Sequence, residues 1–363
     1  MKEVESLIGP KTADLLVWYD TNARQLPWRI PPSRDFSAHE GIQKPDPYRI
    51  WLSEIMLQQT NVTTVIPYFK LFIGQWPTIK DLASAQLDSV LQAWAGLGYY
   101  ARARNLHKSA AIIVKDHEGK FPCTKKELLE LPGVGPYTAS AIAAIAFGQS
   151  EAVVDVNVER VLARLFAVEE RLPAARKKLN QLAKSLTPKT RPGDYAQGVM
   201  DLGATICTFQ NPKCEICPWI LSCRAKKLGN VDRFPRRAPK VKRPLKKGIA
   251  FWVVRGDGSI LLRRRPESGL LGGMVEVPST NWDVSRSMDL LQAPLIAEWN
   301  ELPGNVSHGF THFQLELKVV AARVNKSARA NGMWVLPSGF SDQAFPTLTK
   351  KIISHAIKYN YLF

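Results

Sequence analysis

The sequence is short of cysteine, of histidine, of acidic residues and of long apolar runs. Its 363 residues include five cysteines and six histidines. Five unevenly placed cysteines do not make a secreted disulfide scaffold. No apolar run approaches the roughly 20 residues that span a bilayer. The opening MKEVESLIGPKTADLL contains acids and lacks an uninterrupted apolar signal core. A soluble cytoplasmic protein with no membrane partner is the expectation. Acids number 32 against 49 Lys and Arg, a formal charge of +17 and a pI near 9.7. Such a chain suits a polyanion, because neutralising phosphates releases counterions. Nucleic acid and an anionic membrane surface both meet that description.

A hydrophobic content of 45% in a chain of this length is enough for two cores. From Thr12 to about Leu221, apolar residues recur at helical spacing, as in Pro47–Phe72, Asp81–Trp94 and Tyr137–Phe147. Asp35–Asp46 is polar and aperiodic, and reads as an exposed loop. Between Lys226 and Lys247 ten Lys or Arg face the single acid Asp232, with Pro235, Pro239 and Pro244 among them. That segment reads as an extended linker, either a solvated tether or one that also tracks phosphates. After Gly248 come short β-type runs, IAFWVV, ILLRRR, FQLELKVVAARV and GMWVLP, and then a helical pattern from Thr347 to Tyr361. The expected division is an all-α domain over 1–225, a basic linker over 226–247 and an α+β domain over 248–363.

Cys207, Cys214, Cys217 and Cys223 are spaced C-x6-C-x2-C-x5-C, with Cys123 apart. Four thiolates so close repel one another unless a cation or cluster neutralises them. Zinc and a [4Fe–4S] cluster both accept four cysteines. Structural zinc sites usually pair two short knuckles, and the one short gap here favours iron–sulfur. Leu129–Ala139, LELPGVGPYTA, sets Gly133, Val134 and Gly135 between helical patterns. Glycines there permit a tight turn, and the next helix offers unpaired N–H groups to a phosphate; an ordinary helix connection is the alternative. Eighteen residues after Tyr137, Asp155 follows an apolar run and precedes a helix.

With turn, acid and cysteine loop in this order, the sequence resembles the helix–hairpin–helix DNA glycosylase superfamily that includes endonuclease III. Leu26–Arg29 (LPWR), Trp51–Thr60 (WLSEIMLQQT) and Gly96–His107 (GLGYYARARNLH) resemble the MutY-type adenine glycosylases. The likeness covers nearly the whole chain. It implies a monomeric base-excision enzyme, nucleoid-associated in the cytoplasm, that acts on duplex DNA carrying adenine opposite 8-oxoguanine or guanine, with one [4Fe–4S] cluster on the four cysteines. It assigns the acid to Glu54 and the charge-stabilising carboxylate to Asp155. Breaking an N-glycosidic bond needs one protonated and one ionised carboxyl. Glu54 lies in an apolar helical segment where desolvation raises its pKa, and Asp155 stands near a helix start whose N–H donors favour the charged form. Tyr137 occupies the place of the lysine that forms a Schiff base in bifunctional relatives, so base release without strand cleavage is expected. Asn157 is placed to orient Asp155 or a water. The resemblance puts Arg24, Trp28, Arg29 and Gln197 around the adenine, and Gln59 and Tyr99 in the gap that the flipped base leaves.

Leu262–Pro278 and Phe310-Thr311-His312-Phe313 resemble the Nudix-like domain of these enzymes, which would set Phe310, Thr311 and His312 against 8-oxoguanine. The acidic magnesium helix of a Nudix hydrolase does not follow Gly273, so this domain is expected to bind and not to cut. Three positions depart from the family pattern. Thr311 stands where most relatives have Ser, Val156 where they have Gly between the Asp and the Asn, and Val275–Pro278 lacks the usual bulky aromatics.

Overall fold

The computed structural model describes residues 9–32, 45–239, 242–266, 269–282, 290–343 and 345–359. The expected loop Asp35–Asp46 lies almost wholly outside them. The helices are α1 (Thr12–Asn22), α2 (Pro47–Leu57), α3 (Val62–Gln75), α4 (Ile79–Ser84), α5 (Leu87–Ala93), α6 (Ala101–Asp116), α7 (Lys125–Leu128), α8 (Pro136–Phe147), α9 (Val156–Leu165), α10 (Arg176–Leu186), α11 (Pro192–Thr205), α12 (Arg224–Lys227) and α13 (Thr347–Lys358). The strands are β1 (Leu245–Arg255), β2 (Ile260–Arg264), β3 (Val275–Glu276), β4 (Asn300–Gly309), β5 (Gln314–Val324) and β6 (Met333–Val335). No described helix is long and apolar enough to cross a membrane.

The chain forms two compact units, one of Met1–Ser84 with Asn105–Pro239, the other of Ala85–Arg104 with Lys240–Phe363. The first is helical. Its helix starts are written locally: Asp46 accepts from Tyr48 N and precedes Pro47, Asn61 accepts from Thr64 N, and Thr124 with Glu127 closes a reciprocal cap on α7. The apolar pattern across Pro47–Phe72 is broken at 58–61, because Asn61 caps a new helix there. Helix α8 is buried almost all round and packs on α2, α7 and α11, while α9 packs on α10, α11 and α12. Gly203 lets α11 approach α9 closely, since a Cβ there would lie 2.8 Å from Asn157 Cβ.

The basic segment after Lys226 is only partly a tether. Phe234 is 1% exposed, Leu172 N donates to Arg236 O at 2.8 Å, and Ala238 N donates to Leu172 O at 3.1 Å. Arg233 and Arg236 both pair with Glu169. An aromatic ring and a backbone partner therefore dock this stretch on the first unit as far as Ala238, where charge and proline content alone suggested an extended chain.

In the second unit the sheet runs β3-β2-β1-β5-β4, with β6 on the β2 edge. β1 and β5 pair in parallel from Leu245↔Gln314 to Arg255↔Val324; the other pairings are antiparallel. Seven successive residues of β1 are buried because both faces are covered. Trp252, Leu262, Leu317 and Val319 form one core with Leu348, Ile352 and Ile353 of α13, and Ile249, Phe251 and Val320 form the other. β4 was not foreseen, since Pro303-Gly304 and an irregularity between Glu301 and Asn305 interrupt its alternation. Phe310–Phe313, open to a strand reading, is the turn between β4 and β5, closed by Phe310 N donating to Phe313 O at 2.9 Å.

Candidate active site

One cavity of about 1180 Å³ in the helical unit is lined by all four candidate catalytic residues, Glu54, Tyr137, Asp155 and Asn157, and all four candidate base contacts, Arg24, Trp28, Arg29 and Gln197. They arrive from five segments of the chain. Glu54 projects from the buried face of α2, Tyr137 from the first turn of α8, Asp155 caps α9, and Gln197 comes from α11. Arg24, Trp28 and Arg29 come from the chain after α1. Trp28 packs edge-on against Phe69 at 5.2 Å, and Arg49 Nη2 holds Pro27 O at 2.9 Å.

Glu54 is 6% exposed and its Oε2 has no hydrogen-bond partner among the described residues. Burial pushes its carboxyl up from 4.5 to about 7, the Asp155 charge adding to the rise while Tyr137 and Arg29 pull the other way. The group thus holds a proton near neutral pH. Burial also drives the Tyr137 hydroxyl well above its ordinary range, so it stays a neutral donor beside Glu54, with Met200 Sδ 3.5 Å away.

Asp155 Oδ1 accepts from Asn157 N at 2.9 Å and Val158 N at 2.7 Å, and Oδ2 from Asn157 Nδ2 at 2.8 Å. These donors hold its pKa down as foreseen, but burial outweighs them and the net direction is upward. Val156 stands at the first position of α9 outside the left-handed region. A glycine is therefore not required there.

Asp201 went unnoticed in the sequence. It follows Gln197 by one helical turn, is fully buried, and binds both Arg24 and Arg29. An acid at i+4 on the face of α11 that carries Gln197 was the available signal.

The hairpin turn has Gly133 at φ +80°, where a Cβ would sit 2.9 Å from Asn105 Cβ, and Gly135 caps α8. Val134 is turned inward, 6% exposed, and its N–H donates to Leu131 O. Any phosphate contact by this turn therefore falls to the amides of Gly133, Gly135 and the start of α8. Gln59 is exposed at φ +57°, on the cavity. Tyr99, at φ +49° and 48% exposed, belongs to the second unit, where its hydroxyl lies 2.8 Å from Thr311 Oγ1. Thr311 and His312 are exposed at the β4–β5 turn, while Phe310 and Phe313 turn in against Trp282. The methyl of Thr311 leaves its hydroxyl free to meet Tyr99.

The four clustered cysteines form no disulfide and line one small cavity with Ile206, Ile220, Val231, Arg164 and Lys226. Burial pushes Cys217 up to about 12 and raises Cys214 and Cys223. Thiolates there need a positive group among them. Four cysteines around one cavity are a donor set that a [4Fe–4S] cluster or a zinc ion accepts. Arg164 Nη1 lies 3.4 Å from Cys207 Sγ and donates to Thr208 O at 2.6 Å. Arg160 joins Asn157 Oδ1 at 3.0 Å to Cys207 O at 2.8 Å, so α9 ties the loop to the cavity.

Comparison with known proteins covers both units. The profile of the HhH-GPD superfamily of base excision DNA repair proteins matches residues 52–189, and that of the NUDIX domain matches 249–355. The human adenine DNA glycosylase is 37% identical over 401 residues, covering 93% of this chain and 72% of the human protein. That of Buchnera aphidicola from Schizaphis graminum is 32% identical, covering 93% and 96%. Among solved structures, a thermostable thymine-DNA glycosylase superposes with a TM-score of 0.52 at 31% identity, covering 60% of this chain and 95% of its own.

Proposed function

The chain belongs to the adenine DNA glycosylase family of base excision DNA repair, and on that premise we propose that it releases adenine mispaired with 8-oxoguanine, or with guanine, and leaves an abasic site. The observation that carries this reading is the pairing, in one cavity, of a buried carboxyl raised to about 7 with a second carboxyl held by three hydrogen bonds.

An adenine extruded from the duplex enters the cavity with its base toward Arg24, Arg29 and Gln197. Glu54 gives its proton to a ring nitrogen of the base, and the C1′–N9 bond breaks with its electron pair going to adenine. Asp155, fixed by Asn157, stabilises the positive sugar until water adds at C1′ and loses a proton to the Glu54 carboxylate. Tyr137 carries no amine, so no Schiff base forms and the strand is left intact. Gln59 and Tyr99 fill the vacated stack, and Thr311 and His312 meet the opposite 8-oxoguanine while Phe310 holds their turn against Trp282. Cys207, Cys214, Cys217 and Cys223 would hold a [4Fe–4S] cluster, whose contribution is to brace the loop after α11. The enzyme works as a monomer on duplex DNA in the cytoplasm.

The test uses duplexes carrying adenine opposite 8-oxoguanine, adenine opposite guanine and thymine opposite guanine, each treated with alkali after incubation. Strand breaks that appear only after alkali, and chiefly in the first duplex, are expected. Breaks before alkali would overturn the monofunctional reading, and preference for the thymine duplex would overturn the substrate.

A further inference from the structure

Helix α11 carries a carboxylate that base release as described leaves without a role. Asp201 is fully buried. Arg24 N donates to its Oδ2 at 3.0 Å, Arg24 Nε to its Oδ1 at 2.6 Å and Arg29 Nη1 to its Oδ2 at 2.7 Å. Both guanidiniums line the cavity together with Glu54, and Asp201 stands behind them. Burying the Asp201 and Arg29 charges, with Arg24 partly exposed beside them, has a desolvation cost that is offset only when geometry and hydrogen bonding are good. An apolar residue would fill the same space without it. The arrangement does something else: it spends one donor edge of each arginine on a rigid carboxylate and leaves the remaining N–H groups to the cavity.

We propose that Asp201 is a positioning residue for adenine release, fixing Arg24 and Arg29 against the acceptor edge of the flipped base and balancing their charge beside Glu54. The proposal rests on the base-release reading. The charged and titratable groups that face Glu54 are Arg29 from the chain after α1, Tyr137 from α8 and Asp155 at the start of α9. Of these Arg29 is the cation, and Asp201 is its counter-charge. Without Asp201 an unbalanced Arg29 draws the Glu54 proton away at lower pH.

Adenine release from an adenine:8-oxoguanine duplex is followed under single turnover from about pH 5 to about pH 9. Affinity is read on the same duplex with 2′-fluoro-2′-deoxyadenosine, which resists cleavage. For Asp201→Asn the alkaline limb moves down by about one pH unit, and release at neutral pH falls at least ~10-fold because the guanidiniums lose their anchor. Asp201→Glu keeps the charge but displaces it, so the limb stays in place while release falls about 10-fold. Affinity stays within a few-fold of wild type in both. A folded Asp201→Asn protein with an unmoved limb and rate overturns the proposal. Should that variant fail to fold, Asp201→Glu at the wild-type rate overturns it. A wild-type protein that leaves adenine in place would instead refute base release itself.

Discussion

Replacing Glu54 by Gln should make the protein more stable as it makes it inactive. The carboxyl is 6% exposed, one oxygen is without a partner, and its pKa moves from 4.5 to about 7 on folding. Because the folded value is the higher one, the folded protein keeps this proton between about pH 4.5 and about pH 7 while the unfolded chain has lost it. Stability therefore falls as pH rises through that window. The difference of about 2.5 pH units corresponds to about 3 kcal/mol at pH 8, and to almost nothing below pH 4.5. Gln is neutral at every pH and avoids this loss. In urea titrations followed by helical circular dichroism, Glu54→Gln should match wild type near pH 4.5 and exceed it by up to about 3 kcal/mol at pH 8. Adenine release should drop on the order of 10²- to 10⁴-fold, the usual contribution of a general acid. Equal stability of the two proteins at pH 8 would mean that Glu54 is not held in a desolvating site. Undiminished release would remove it from the chemistry.

Asp155→Asn keeps a side chain that caps α9, so its melting temperature should stay close to wild type while single-turnover release falls on the order of 10²-fold; release near the wild-type rate would exclude Asp155 from the reaction. Gly133→Ala places a methyl group 2.9 Å from Asn105 Cβ in a left-handed backbone. Fluorescence anisotropy should show duplex affinity reduced about 10-fold, and unchanged affinity would count against this turn as a phosphate site. Phe234→Ala empties a buried ring site in the docked part of the basic segment, and should destabilise the helical unit by about 3 kcal/mol in urea; a loss under about 1 kcal/mol would mean the segment is not anchored there. Cys217→Ser should strip the brown colour and the iron from the purified protein, whereas a colourless wild-type protein containing zinc would refute the cluster.

Much of the fold was legible because its signals are local. Helical spacing, Asp155 at the start of α9 and the glycines of the hairpin each act within a few residues of their own position. The strands β1, β2, β5 and β6 were legible for the same reason, and β4 was lost where proline and glycine break its alternation. The docked segment around Phe234 was misread because charge and proline describe how a free chain behaves, and the partners that anchor it, Leu172 and Glu169, lie more than 60 residues away.

Residue types and spacings by themselves singled out four clustered cysteines and a glycine turn, and the resemblance to a known family singled out two carboxyls and a tyrosine in place of an amine. Only the tertiary structure decided their states. Burial sets the Glu54 proton near neutral pH, turns Val134 inward, outweighs the donors around Asp155, and gives Arg24 and Arg29 a shared counter-ion in Asp201. Desolvation and long-range ion pairing depend on which distant segments close around a group, and no local pattern encodes that.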